Sequence, residues 1–150
     1  MVDVFVGVGS NLERERNIVA GVAALRDAFG QLRESSVIDN PAVGFVGEDF
    51  LNLVVGFETD DDVRVVTDRL RAIEQSFGRV RSSDRYVARA LDLDLLLYGD
   101  LVDEELRIPR TDVLEYDFVL GPLAEIAPDR RHPVTGETYA ALWRGFTANR

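Results

Sequence analysis

The run Leu91-Asp92-Leu93-Asp94-Leu95-Leu96-Leu97-Tyr98-Gly99 constrains the fold more than any other stretch of the chain. It reads as a buried strand, yet Asp92 and Asp94 sit two apart within it. Period-2 geometry puts both carboxylates on the same face, about 7 Å apart along the strand. Burying two like charges is costly unless something cationic sits with them. Just upstream, Arg79, Arg81, Arg85 and Arg89 supply such cations.

The preceding chain alternates strand and helix signals. Val2 to Val8 alternates and predicts a strand, and Gly9-Ser10-Asn11 predicts a tight turn with good N-cap chemistry. Helix one is expected over Leu12–Phe29, with Ile18, Val19, Val22, Ala23 and Leu25 as its apolar stripe and Gly30 as its stop. Leu32–Ile38 reads as a second strand, Asp39–Asp49 as a loop and Phe50–Glu58 as a third strand. Asp60-Asp61-Asp62 caps a second helix over Val63–Phe77, which Gly78 ends. Val80–Ala90 has no clean period and reads as a loop able to move; Leu91–Tyr98 is the fourth main strand.

Beyond it, Gly99-Asp100 predicts a hairpin turn into a short edge strand at Leu101–Val102, and Ile108-Pro109 opens another loop. A helix over Phe118–Ile126, broken near Gly121-Pro122, and a short one over Tyr139–Arg144 complete the chain. Strand, helix, strand, strand, helix, strand is the ferredoxin-like split βαβ pattern. The expectation is an α+β fold: one domain over residues 1–150, an antiparallel sheet with helices, and a C-terminal extension of helix and loop.

Composition narrows the chemistry. With no cysteine and one histidine, thiolate and His-rich metal centres are excluded, so any metal is held by oxygens, as magnesium, manganese or calcium are. The net charge of −10 argues against general nucleic-acid binding. No apolar stretch approaches the roughly 20 residues needed to span a bilayer, and the N-terminus lacks a basic n-region. The chain is expected to be cytoplasmic and monomeric, with small molecules as partners.

Three groups of residues are candidates for chemistry. Asp92 and Asp94 can hold magnesium together with substrate phosphates. The arginines between Arg79 and Arg89 suit phosphate oxygens, because a guanidinium fork pairs with them bidentately. Phe50 and Asn52 share a strand face, where the ring can stack on a flat ligand and the amide can bond its edge, although core packing and a turn role are the commoner uses of such residues. Gly7-Val8-Gly9-Ser10-Asn11 lacks P-loop and dinucleotide spacing and reads as a structural turn. His132, without a partnered base or nucleophile, reads as a surface residue.

Together these residues resemble the 6-hydroxymethyl-7,8-dihydropterin pyrophosphokinase family of folate synthesis. The resemblance is carried by Gly9-Ser10-Asn11, Phe50-Leu51-Asn52, Glu74 with Gly78-Arg79-Val80-Arg81, Arg89 leading to Leu91-Asp92-Leu93-Asp94, and Gly121 to Pro128. It implies a ferredoxin-like enzyme transferring pyrophosphate from magnesium ATP to the pterin hydroxymethyl group, with AMP as the other product. Asp92 and Asp94 would hold two magnesium ions, and Arg79 and Arg89 would act with them in catalysis. Asn40, Val43, Phe50, Asn52 and Phe118 would bind the pterin. Glu74, Arg79, Arg81, Arg85, Arg89 and Arg110 would bind ATP. The chain departs from the family pattern at Val87-Ala88, at Arg110 in place of a histidine and at Tyr116 in place of a basic residue. These departures leave two alternatives: a relative acting on another hydroxymethyl heterocycle or modified pterin, and a catalytically silent ligand-binding module.

Overall fold

The computed structural model of the protein describes residues 1–40, 49–78 and 90–148. Its elements run β1 (Val2–Ser10), α1 (Arg14–Phe29), β2 (Arg33–Glu34), β3 (Ile38–Asn40), β4 (Phe50–Thr59), α2 (Val63–Ser76), β5 (Asp92–Tyr98), α3 (Asp112–Glu115), α4 (Asp117–Ile126) and α5 (Tyr139–Ala148). The sheet order is β2-β4-β1-β5, with β3 also on β4, and the pairings are antiparallel. This is the ferredoxin-like arrangement expected from the order of elements.

Alternation sorts β1 between two cores. Val4, Val6 and Val8 join Leu53, Val55, Phe57, Leu91 and Leu93 under α1 and α2. Phe5 points to the other face, where Val54, Leu96 and Leu97 pack with Val113, Leu120, Leu123 and Tyr139 of the C-terminal helices. Farther along β1 on this face stand Gly7 and Gly9, and the carboxylate-bearing end of β5 pairs with them.

Several local expectations are corrected. Gly9-Ser10-Asn11 is not a turn at its start: β1 stays extended to Ser10, because strands on both sides offer ladder partners to Gly9. Helix α1 then begins at Arg14 behind Glu13, whose φ of 41° is left-handed and whose side chain makes no cap bond. The entry is held instead from Leu12, whose carbonyl accepts from Ser10 Oγ at 3.1 Å and Asn17 Nδ2 at 2.6 Å. The buried stripe of α1 is Asn17, Ile18, Gly21, Val22 and Leu25, while Val19 is 72% exposed. Gly21 is buried because a Cβ there would stand 2.6 Å from Leu91 Cδ1, so the helix rests directly on the start of the acid strand.

The expected second strand is two strands. Ser35, Ser36 and Val37 stand opposite only Val54 and Leu53, so one extra residue bulges between β2 and β3. Ser35 repairs the ladder there: its N–H donates to Val54 O at 3.0 Å, and its hydroxyl accepts from Val54 N at 2.9 Å. The edge strand expected at Leu101–Val102 does not form. Leu101 N closes a turn on Tyr98 O, and the pairing that follows is a single bridge between Asp103 and Ile108.

Helix α4 runs unbroken through Gly121-Pro122. Pro122 is buried, and a Cβ on Gly121 would stand 2.9 Å from Trp143 of α5, so packing between α4 and α5 outweighs the lost helix bond. His132 is 3% exposed rather than on the surface. Its Nδ1 accepts from Val134 N and Thr135 N at 3.1 and 3.2 Å, which folds the turn before α5.

Candidate active site

Directly opposed residues in an antiparallel ladder project to the same face. Gly9 pairs with Asn52 on one side and Asp92 on the other, and Gly7 with Val54 and Asp94. The amide of β4 and the acids of β5 therefore share one face, separated by two residues with no side chain. At the first of these, a Cβ on Gly9 would lie 2.8 Å from Asn52 Nδ2, so any larger residue there displaces the amide.

The bulge between β2 and β3 completes this face. Arg33 lies opposite Gly56, and after the extra residue Ile38 and Asn40 lie opposite Asn52 and Phe50. Without the shift, Asn40 would project to the opposite side. Instead, Asn40 Nδ2 donates to Asn52 Oδ1 at 3.0 Å, and Phe50, partly buried, stands across from Asn40. Two amides and a ring thus converge at one end of the sheet.

Asp92 and Asp94 are both partly buried. Arg110 arrives beside them because its N–H donates to Leu96 O at 2.9 Å, tying the segment before α3 to β5. Its Nη2 is 3.6 Å from Asp94 Oδ1, and its Nε is 3.3 Å from Asp112 Oδ2. Burial lowers the Arg110 pKa, but the charges of Asp94, Asp112 and Asp92 outweigh it and hold the pKa above its ordinary value. Asp112 is a site neighbour that the sequence alone did not single out; its signal is the acid two residues after Arg110. On its other side, Arg110 borders a cavity of about 560 Å³ lined in part by Arg107, Ile108, Pro109, Asp112 and His132.

The donor set fits magnesium. Among the described residues no group of three or more acidic, His or Cys side chains could enclose an ion. Two carboxylates on one strand, with the remaining positions left to water and phosphate oxygens, is the way magnesium is commonly bound beside a nucleotide.

Glu74 continues the buried stripe of α2 after Val66 and Leu70 and is 1% exposed. Its Oε2 accepts from Leu93 N at 2.8 Å. The carboxylate thus satisfies the outward N–H of an edge strand at the residue between the two aspartates. Phe118 lies in the first turn of α4, packed on the second core, and Tyr116 stacks on it with centroids 5.0 Å apart. Tyr116, a departure at the sequence level, therefore extends the aromatic surface of Phe118. Val43, Arg79, Arg81, Arg85 and Arg89 lie outside the described residues.

The chain is 37% identical over 139 residues to 2-amino-4-hydroxy-6-hydroxymethyldihydropteridine pyrophosphokinase of Pseudomonas aeruginosa, covering 87% of this chain and 83% of that one. It is 37% identical to the Synechocystis protein of the same name, covering 91% and 72%. Its fold matches the wild-type HPPK-DHPS of Plasmodium falciparum with a TM-score of 0.72 at 12% identity, covering 99% of this chain and 45% of that longer one. The family model described as 7,8-dihydro-6-hydroxymethylpterin-pyrophosphokinase matches residues 5–128, which include the amides, the paired aspartates and Arg110. The chain belongs to the 7,8-dihydro-6-hydroxymethylpterin-pyrophosphokinase family.

Proposed function

We propose that this protein transfers a pyrophosphoryl group from ATP to the hydroxymethyl oxygen of 6-hydroxymethyl-7,8-dihydropterin, in folate biosynthesis. The pterin hydroxyl oxygen bonds to the β-phosphorus and releases its proton to solvent, the bond between the α-β bridging oxygen and that phosphorus breaks, and AMP leaves with the bridging oxygen. The observation that supports this reading is the row Asn52–Gly9–Asp92, with an amide and a carboxylate on one sheet face.

In this reading the amides of Asn40 and Asn52 meet the hydrogen-bonding edge of the pterin, and Val43 is a further pterin-binding residue. Phe50 and Phe118 cover its two faces, and Tyr116 backs Phe118. Asp92 and Asp94 would hold magnesium, two ions in this reading, which would offset the phosphate charge and favour in-line alignment of the attacking and leaving oxygens. Arg110 stands between Asp94 and the neighbouring cavity, suited to hold nucleotide phosphate on that side. Arg79, Arg81, Arg85 and Arg89 supply further guanidinium groups to the phosphates, Arg79 and Arg89 during transfer itself. Glu74 acts on the nucleotide side by holding β5 in place through Leu93.

No helix among the described residues is long and apolar enough to cross a membrane. The reading includes a single-domain monomer in the cytoplasm whose partners are its two small-molecule substrates, with no nucleic acid among them.

The test is nucleotide product analysis with ATP, magnesium and the pterin, using Asp92→Ala as control. AMP formed only with the pterin, only before chelation by EDTA and only by the unmutated protein supports the reading. ATP bound without AMP formation overturns the acceptor and moves the search to other hydroxymethyl heterocycles.

A further inference from the structure

Arg14 is the first residue of α1, on the sheet face opposite the proposed pterin site. Its Nη1 and Nη2 donate to the two carboxylate oxygens of Asp39 at 2.8 and 3.0 Å, and Nη1 also donates to the backbone carbonyl of Asp49 at 3.1 Å. Asp39 immediately precedes Asn40, and Asp49 immediately precedes Phe50. One guanidinium thus holds the residue before each of two register partners, Asn40 and Phe50.

Alternation explains how the brace reaches through the sheet. Asn40 and Ile38 share the face of Asn52, so Asp39 between them points back toward α1, opposite Leu51. Strand β3 has only three residues and cannot set its own position firmly. The fork supplies what so short a ladder lacks. Arg14 is the more buried member of the pair: its side chain is 20% exposed, against 59% for Asp39.

We propose that Arg14 is a positioning residue for pterin binding, fixing Asn40 and Phe50 against Asn52 from behind the sheet. The inference rests on the pterin reading of those three residues. It assigns Arg14 no contact with substrate. Its hydrogen bond holds the Asp39 carboxyl below its ordinary pKa, so the pair stays charged throughout the neutral range. An ion pair of this exposure adds little to global stability, so its loss acts locally.

The test compares steady-state kinetics of the intact protein with Arg14→Gln, Arg14→Lys, Asp39→Asn and Asn52→Ala. Arg14→Gln is expected to raise KM for the pterin about 10-fold, leave KM for ATP within about 2-fold and leave Tm nearly unchanged. Arg14→Lys does not restore the wild-type value, because an ammonium cannot fork a carboxylate and reach a carbonyl together. Raising salt increases the pterin KM of the wild type more than that of Arg14→Gln, since the brace is screened. An unchanged pterin KM in Arg14→Gln and Asp39→Asn, with a raised one in Asn52→Ala, overturns the proposal and leaves the pterin site standing. If Asn52→Ala is also unchanged, the site reading fails and the proposal falls with it. Should Arg14→Gln not fold, Asp39→Asn alone decides, because it breaks the same fork from the exposed side.

Discussion

Asn52 lies over Gly9 so closely that a single added carbon on Gly9 would stand 2.8 Å from the amide nitrogen. The amide cannot simply swing aside, because its oxygen is held at 3.0 Å by Asn40 Nδ2. Gly9→Ala is therefore expected to disturb the amide pair before it disturbs the fold. KM for the pterin should rise about 10-fold or more, with a stability loss of about 1–2 kcal/mol from overpacking. Kinetics and urea unfolding of the same preparation check both; an unchanged pterin KM would sink the role given to Asn52.

The two aspartates should separate activity from stability. Asp92→Asn and Asp94→Asn keep the size of the side chain and remove one of two like charges. Each is expected to lower kcat about 100-fold or more while far-UV circular dichroism and Tm stay near wild type. Asp94→Asn leaves Arg110 its contact with Asp112 at 3.3 Å, so that arm does not lose its last acid.

Glu74 should behave in the opposite way. Glu74→Ala leaves the buried N–H of Leu93 without its 2.8 Å acceptor, at a cost of about 1–3 kcal/mol in chemical denaturation. Glu74→Gln keeps an acceptor oxygen and should recover part of that loss. If both variants are as stable as wild type, the edge of β5 does not depend on this carboxylate.

His132 gives a pH signature. Burial depresses its pKa below the ordinary 6.5, and its Nδ1 must stay unprotonated to accept from Val134 and Thr135. The unfolded chain therefore binds the proton first. The stabilisation is complete above about pH 6.5 and is lost as the pH falls from there through the depressed folded value. His132→Asn retains an acceptor for the turn without titrating. Thermal melts between pH 7.5 and 5.5 should show a steeper decline for wild type than for this variant; parallel declines would remove His132 as the cause.

Much of this was legible before folding. The alternation of β1, the capped α2 and the acid-bearing β5 are local signals, so the order of elements and the shared face of Asp92 and Asp94 followed from period alone. Misplaced features depended on distant partners. Ser10 looked like a turn residue until Leu51 paired with it, and Gly121-Pro122 looked like a break until Trp143 packed on it. His132, without a motif, gave no sign of burial.

By itself, the sequence determined which residue types are present and which neighbours share a strand or helix face, because those follow from backbone period. That sufficed for the ferredoxin-like order and for the paired acids. Only the tertiary structure decided that Asn40 joins Asn52 rather than pointing away, since one bulged residue before β3 inverts every side chain after it. Only it placed Arg110 beside Asp94, through a backbone bond to Leu96. Register and long-range hydrogen bonds are properties of the paired chain, and no single segment carries them.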